Sequence, residues 1–220
     1  MSYSSIFDII GPIMVGPSSS HTAGAVRIGQ VARSLYGGTP ERAEIIFYGS
    51  FAHTYRGHGT DLAVVAGILG FSTFDERIPD AFLEAEKQGV ELIIRPDDEE
   101  VVEPNTARIR LSGTADSVEL VGASIGGGSV AIREINGFQV NVSGDKRTLL
   151  LFHHDRAGVV AEVSSQLAQG NLNISHMELS RKHRGDTALL SLECDQLIDS
   201  ELISHFSEMP GMEKVIYIRP

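Results

Sequence analysis

The chain has 220 residues, a hydrophobic fraction of 42% and a formal net charge of −11 at pH 7. This length accommodates one large or two small domains, and the acidic balance argues against binding to nucleic acid or to an anionic membrane surface. The single cysteine, Cys194, excludes an intrachain disulfide and an iron–sulfur cluster held by this chain alone, and we expect it to be a small buried apolar residue. The first residues carry no basic side chain ahead of an interrupted apolar stretch, and no apolar run reaches the roughly 20 residues of a membrane span. We therefore expect a cytoplasmic protein without a signal peptide.

A serine-rich loop precedes the first predicted helix. Residues 16–24 read GPSSSHTAG, so three serines, His21 and Thr22 stand between glycines. A helix is predicted next because apolar residues recur at helical spacing and a Gly-Gly pair follows them: Ile28, Val31, Ala32 and Leu35. Hydroxyls, an imidazole and a helix N-terminus are suited to holding a small carboxylate and moving its protons. The alternative is that one serine caps the helix and the rest is a polar loop.

A second histidine loop follows a predicted buried strand at residues 45–48. Residues 53–61 read HTYRGHGTD, and the helix predicted after them repeats the helical spacing at Leu62, Val65, Ala66 and Leu69. His58 stands between two glycines just before the helix N-terminus, whose partial positive charge favours a neutral, basic imidazole. We interpret Thr60 as the N-cap in preference to a ligand. A structural role for His58 is the alternative to a catalytic one.

The remaining pattern predicts a mixed α/β domain and a second domain. In the first, a helix over 79–88 is followed by strands over 91–95, 106–111, 118–125, 130–135 and 138–142. After a linker at 143–146, strands over 147–152, 173–182, 187–193 and 212–218 are interleaved with helices over 157–169 and 199–207. This βαββαβ order is that of the ferredoxin-like unit. We place the domains at residues 1–143 and 147–220.

The second domain resembles an ACT domain. The resemblance lies in HHDRAGVV at residues 153–160 and GNLNI at 170–174, with Ala157 where ACT domains usually carry proline. It implies a regulatory module that binds an amino-acid effector or forms a homodimer, and pairing without any ligand is the alternative. The ligand edge it implies comprises Asp155, Arg156, Gly158, Val159, Asn173 and Ile174.

The whole chain resembles the beta subunit of the iron–sulfur-dependent bacterial L-serine dehydratases. The motifs are the loop 16–24, YGS at 48–50, GHGTD at 57–61, IGGG at 125–128 and REING at 133–137. The resemblance implies a first domain similar to a small-molecule-binding domain of some phosphoglycerate dehydrogenases. It also implies a partner alpha subunit whose cysteines hold a 4Fe-4S cluster, because this chain lacks them and has no metal site of its own.

The implied reaction is the dehydration of L-serine to pyruvate and ammonia, an ammonia-lyase reaction in which iron acts as a Lewis acid. His58 and His21 are the catalytic candidates, with His58 preferred as the base and the division of acid and base roles left open. The substrate-binding candidates are Ser18, Ser19, Ser20, Thr22, Gly59, Thr60 and Asn136. We expect no pyridoxal phosphate, because none of the four lysines stands in a glycine-rich phosphate-binding setting: Lys87, Lys146, Lys182 and Lys214. For the glycine run 126–128, a tight turn is favoured over a phosphate cradle.

A second functional hypothesis is a non-catalytic subunit that senses amino acids and regulates a partner. It accounts for the ACT-like domain and for the missing redox ligands. It leaves unexplained why His21 and His58 both precede predicted helix starts in glycine-rich loops.

Overall fold

The computed structural model describes residues 12–114 and 116–219. The chain divides into two compact units, one ending at Asn136 and the other beginning at Gly137. The first residues, for which no signal peptide was expected, lie outside the described part. The domain limits of 1–143 and 147–220 stay predictions.

The first unit combines four helices with a mixed sheet in its described residues. Its elements are α1 (Gly24–Tyr36), β1 (Arg42–Tyr48), α2 (Gly49–Thr54), α3 (Thr60–Ile68), α4 (Ala81–Lys87), β2 (Glu91–Pro96), β3 (Asn105–Ser112), β4 (Ser117–Gly126) and β5 (Ser129–Ile135). The strands of this unit are hydrogen-bonded in the order β2-β1-β3-β4-β5. β1 and β2 are parallel, and the other neighbours are antiparallel. The helix predicted over 79–88 is present as a 3₁₀ turn, Ile78–Asp80, followed by α4.

The helix α1 covers one face of the sheet, where it contacts β3, β4 and β5. All four of its predicted core residues are buried: Ile28, Val31, Ala32 and Leu35. It ends as predicted, because Gly37 has the left-handed conformation (φ 90°) and returns its N–H to the carbonyl of Arg33. Side chains alternate across a strand, so Ala107, Ile109 and Leu111 of β3 face α1 and are also buried.

The opposite face of this sheet is charged, because Arg108 and Arg110 alternate with the buried apolar residues of β3. Arg108 donates to the carboxylates of Glu119 (2.6 Å) and Glu134 (3.5 Å). Arg110 pairs with Glu119 and with Glu44. Each guanidinium therefore contacts two carboxylates on other strands of the sheet, so these charges are paired with one another.

The helix α3 differs from its prediction. The spacing of Leu62, Val65, Ala66 and Leu69 indicated a single buried face, yet every residue from Ala63 to Ile68 is buried while Leu62 is partly exposed. A helix that is apolar on all sides is buried on all sides. Here α1 packs on one side of it and α4 on another. α3 is therefore a central helix of the first unit.

The second unit follows the chain order strand, helix, strand, strand, helix, strand after a preceding strand. Its elements are β6 (Phe138–Ser143), β7 (Arg147–His154), α5 (Val159–Gln169), β8 (Ile174–Arg181), β9 (Thr187–Cys194), α6 (Ser200–Glu208) and β10 (Met212–Ile218). Four of these strands form an antiparallel sheet in the order β10-β7-β9-β8.

One apolar cluster holds the second unit together. It joins one face of β7 and β9 to α5 and α6, and it includes Val159, Val163 and Leu167, which stand four residues apart along α5. Cys194 belongs to this cluster with 3% of its surface exposed, which confirms its prediction as a small buried residue. Among the helices of both units, within the described residues, none has the length and apolar character needed to cross a membrane.

Candidate active site

The serine-rich loop is itself the beginning of a helix. Ser19–Ala23 forms a π-helical turn that runs directly into α1. Ser18 is extended (φ −146°, ψ 132°), and its Oγ accepts the backbone N–H of His21 at 3.2 Å, so Ser18 is the N-cap. The first N–H groups of a helix have no partner within the helix. The N–H groups of Ser19 and Ser20 therefore have no partner within the helix, and they lie at its positive end.

The His21 imidazole is held by hydroxyl groups from two different elements. Its Nδ1 lies 3.1 Å from Ser20 Oγ, and its Nε2 lies 3.4 Å from Ser50 Oγ at the start of α2. Ser20 Oγ is in turn 3.2 Å from Ser18 Oγ. The ring of Phe51 packs edge-on against the imidazole, with 5.3 Å between centroids. These contacts fix the ring in one orientation on the half-buried floor of the site.

His58 lies beside His21 and is exposed to solvent. The centroids of the two imidazoles are 4.8 Å apart, and the ring planes are inclined by 35°. His58 is placed by the turn before α3, in which its own N–H bonds the carbonyl of Thr54 (3.1 Å) and Gly59 adopts the left-handed conformation with φ 66°. Glycine suits this position because a side chain strains that conformation. The structure thus brings together the two histidines that the sequence placed before separate helices.

The two imidazoles influence each other electrostatically. Burial lowers the pKa of His21 below its ordinary value, and the nearby charge of His58 lowers that pKa further. The folded chain therefore favours the neutral form of His21.

Three buried hydroxyl groups near the helix starts have no hydrogen-bond partner among the described residues: Thr22 Oγ1, Thr60 Oγ1 and Ser124 Oγ. The prediction of Thr60 as the N-cap is wrong, because the cap position is Gly59 and no side chain caps the helix. Ser124 on β4 lies against Gly24 so closely that a Cβ on Gly24 would overlap its hydroxyl. Buried polar groups without partners are uncommon and disfavour the folded state. They are available to a bound polar molecule or water.

Asn136 lies apart from this group. It follows β5 with φ 50°, and its side-chain Oδ1 accepts the N–H of Glu119 at 2.8 Å, while Ser124 stands toward the other end of β4. Its predicted contact with substrate is not supported by this placement. The glycine run 126–128 is the tight turn between β4 and β5, with positive φ at all three residues, and Arg27 donates to the carbonyl of Gly128 (2.9 Å).

The residues of the predicted ligand edge in the second unit are separated. Asp155 follows the end of β7 that pairs with the start of β9, whereas Asn173 precedes the start of β8, which pairs with the end of β9. Both are engaged locally. Asp155 accepts from Gly185 N (3.0 Å) and from Arg181 (3.2 Å), contacts that lower its pKa, and Asn173 donates to Asp195 (2.6 Å).

The other members of that edge divide between the same two ends of the sheet. Arg156 bonds Glu162 and the carbonyl of Pro210, Gly158 caps α5 and Val159 is buried in the core. Ile174 begins β8 on the side of Asn173. One copy of the chain therefore does not assemble these residues into one pocket, because β7 and β8 run parallel on either side of β9 and enter the sheet at the same end.

Metal-binding groups of three or more His, Cys, Asp or Glu side chains are absent from residues 12–114 and 116–219. The thiol of Cys194 is buried, and burial raises its pKa, which opposes the thiolate that an iron cluster requires. The residues of this chain therefore do not fit an iron–sulfur cluster as its ligands.

Sequence reasoning missed Ser50, Phe51 and Ser124 as parts of the site. Ser50 stands in the YGS motif, but its contact with His21 spans 29 residues and depends on α2, a short helix without apolar periodicity. Ser124 sits within a β-strand pattern that carries no sign of its neighbour Gly24. Only the fold brings Ser50 and Phe51 to His21 and Ser124 to Gly24 at the start of α1.

The chain is similar to two groups of known proteins. The family described as serine dehydratase beta chain matches residues 5–101. A probable L-serine dehydratase beta chain of Bacillus subtilis is 50% identical over 218 residues, covering 99% of both chains. An L-serine dehydratase beta chain of Peptoniphilus asaccharolyticus is 39% identical over 91% of both. A D-3-phosphoglycerate dehydrogenase of Synechocystis is 25% identical over 89% of this chain and 35% of its own length.

Proposed function

The chain belongs to the family of L-serine dehydratase beta chains, and from this we propose that it is the beta subunit of an L-serine ammonia-lyase. In this proposal the active site is shared with an alpha subunit that holds a 4Fe-4S cluster. The observation that carries the proposal is the His21–His58 pair, which lies beside the serine hydroxyls and the first N–H groups of a helix start.

The serine-rich helix start is the proposed binding site for the substrate carboxylate. Ser18 and Ser20 offer hydroxyls, and the N–H groups of Ser19 and Ser20 point out of the helix at its positive end. Thr22 and Thr60 supply buried hydroxyls without partners, close to the same turn and to the start of α3. Such an arrangement favours a small zwitterion whose carboxylate points at the helix.

The histidine pair is proposed to carry the protons. His58, which is exposed, takes the α-proton of L-serine, and the imidazolium so formed passes that proton to the β-hydroxyl, which leaves the β-carbon as water. The aminoacrylate tautomerises to an imine, and one water molecule converts the imine to pyruvate and ammonia. His21 remains neutral during these steps, so the imidazolium formed at His58 meets no second positive charge.

The cluster is assigned to the partner because the cysteine content and the buried thiol of this chain do not fit it. When bound, such a cluster supplies Lewis-acid activation of the substrate hydroxyl. The name beta chain, carried by both similar serine dehydratase chains, supports a multi-chain enzyme.

The second unit is proposed to be an ACT domain that regulates the enzyme and forms a homodimer. Its strand–helix order and its sheet order β10-β7-β9-β8 support this assignment. β8 is an edge strand, so two copies can pair β8 with β8 in antiparallel fashion. Pairing of that kind would bring Asn173 of one copy toward Arg181 of the other, where Asp155 is bound, and would reunite the separated ligand edge around an amino-acid effector.

The decisive experiment is anaerobic co-expression of this chain with its cysteine-containing partner chain, followed by a pyruvate assay with L-serine and iron. Pyruvate formed by the complex and by neither chain alone supports the shared site. Turnover by the purified, iron-free beta chain contradicts the proposal. A stable complex with an intact cluster and no activity favours a non-catalytic amino-acid sensor, which amino-acid binding measured by calorimetry would then test.

A further inference from the structure

The helices α1 and α3 touch through two glycines. A Cβ placed on Gly29 would lie 3.0 Å from the Cα of Gly67 and would overlap the carbonyl oxygen of Val64. A Cβ placed on Gly67 would lie 2.9 Å from the Cα of Gly29 and would overlap the carbonyl oxygen of Val26. The contact is backbone against backbone, so no side-chain rotation can make room for an added atom.

Each of these helices carries one histidine of the pair at the same end. His21 lies eight residues before Gly29 in the helix that continues into α1, and His58 lies nine residues before Gly67 in the turn that leads into α3. Eight helical residues span about 12 Å. The turn is itself tied to α3, because Thr60 N bonds the carbonyl of Tyr55 (2.8 Å) and Ala63 N bonds that of Gly59 (2.9 Å).

Two side chains of α1 fix the register of the contact. Gln30 donates to the carbonyl of Phe71 at 2.8 Å, and Arg33 donates to the carbonyl of Ile68 at 2.9 Å. The two helices are thus held at one separation by the glycines and at one axial offset by these hydrogen bonds. Separation and offset together determine where the two helix starts lie.

We propose that Gly29 and Gly67 are positioning residues, whose contact sets the separation of the His21 and His58 imidazoles. The glycine contact acts through the helices and touches neither imidazole. An added methyl group at either position moves one helix by about 1 Å, and a displacement of that size at a catalytic group lowers turnover about 100-fold. The effect on turnover rests on the proposed function, whereas the effect on the histidine pair does not.

The histidine pair is tested in the full beta chain by a titration cycle. NMR gives the pKa of His21 with and without the change His58→Asn, and the difference measures the coupling of the two rings. We expect Gly29→Ala and Gly67→Ala to reduce this coupling by more than the titration error. The other ionisable groups near the pair on these elements, His53, Arg56 and Asp61, are the same in every variant.

Two controls separate positioning from a general loss of stability. Gly38→Ala makes the same chemical change where a Cβ meets nothing within 4 Å. Ile109→Val removes one methyl group from the buried sheet core beneath α1 and leaves both glycines unchanged. Both are expected to keep the coupling of the unmodified chain. Coupling that persists unchanged in Gly29→Ala and Gly67→Ala overturns the proposal.

A third variant covers the case in which neither alanine variant folds. Gln30→Ala removes only the hydrogen bond to Phe71 and adds no atoms, and it must weaken the coupling in the same titration cycle. Unchanged coupling in Gln30→Ala then overturns the proposal, because the interhelical contact would hold the chain together without governing the pair.

The complex with the alpha subunit separates this inference from the proposed function. Reduced coupling with kcat lowered about 100-fold supports both. Reduced coupling with unchanged kcat supports the positioning role and contradicts catalysis by the pair. Unchanged coupling with lowered kcat contradicts the positioning role. Catalysis by the pair is then decided by His58→Ala.

Discussion

The ring centroids of His21 and His58 lie 4.8 Å apart although the residues precede two different helices. One ring is half-buried and bonded to serine hydroxyls from two elements, and the other is exposed. This difference in environment makes the two rings separable by experiment.

His58→Ala is expected to lower kcat of the assembled enzyme by about 100- to 10,000-fold, the range of a lost general base. Because His58 is exposed, the free energy of unfolding of the beta chain should change by less than about 0.5 kcal/mol. Pyruvate formation by the complex and urea unfolding of the beta chain measure the two quantities. His183→Ala, in an exposed turn of the second unit, is the control. If His58→Ala keeps most of the rate, His58 is not the base.

His21 makes stability depend on pH. Its pKa in the folded chain is below the value of 6.5 that it has when unfolded, so the unfolded chain binds more protons between those two values. The free energy of unfolding therefore rises with pH through this window and is level above it. We expect His21→Asn to lose this contribution in urea unfolding measured between about pH 5 and 8. A variant that keeps the same slope as the unmodified chain and as His183→Asn contradicts the lowered pKa.

Asp61 makes the free energy of unfolding change with pH in the opposite direction to His21. Burial raises its pKa above 3.8, and this outweighs the hydrogen bond from Leu62 N. The folded chain holds a proton to higher pH than the unfolded chain, so this carboxyl lowers the free energy of unfolding as pH rises above 3.8. Asp61→Asn is expected to gain stability relative to the unmodified chain between acidic and neutral pH. Asp98→Asn, in an exposed loop, controls for the loss of one carboxylate, and an equal pH response of the two variants contradicts the prediction.

Ser124→Ala tests the buried hydroxyl without a partner. Removing such a group is expected to raise the free energy of unfolding by about 1 kcal/mol. Thr148→Val is the matched control, because Thr148 is equally buried and donates to the carbonyl of Lys146 at 3.1 Å, so its replacement should lower stability by about 1 kcal/mol. Urea unfolding of both variants gives the comparison. A loss of stability in Ser124→Ala would mean that the hydroxyl is bonded to an ordered water.

Cys194 is expected to be inert in the folded chain. It is 3% exposed, and burial raises the pKa of its thiol, so little thiolate is available to react. A coloured disulfide reagent should label the native chain slowly and the urea-unfolded chain with one equivalent. Rapid labelling of the native chain contradicts this environment.

Much of the fold follows from the spacing of apolar residues that are close together in the sequence. Ile28 to Leu35 and Val159 to Leu167 repeat at helical spacing, and each set is buried on one side of its helix. α2 could not be predicted in this way, because its six residues begin with glycine and are held by contacts with β1 and β3. Thr60 resembled a cap in sequence, yet Gly59 takes the cap position with a conformation that glycine alone adopts easily.

The candidate site was predictable only where it depends on local sequence signals. The two histidines and the serines lie beside helix starts, which local sequence signals, whereas the contact of His21 with Ser50 depends on how α2 packs. The separation of Asp155 from Asn173 within one copy could not be predicted, because chain order gives no information about which end of a sheet each residue reaches.

At the contact of Gly29 and Gly67, neither residue can become smaller to make room for a larger one. Where two large side chains meet, growth of one can be offset by shrinkage of the other, and successive substitutions can pass through functional intermediates. Glycine is already the smallest residue, so neither position can compensate for a change at the other. Attempts to improve this enzyme by random mutation should therefore find accepted changes around the helix crossing and none at its centre.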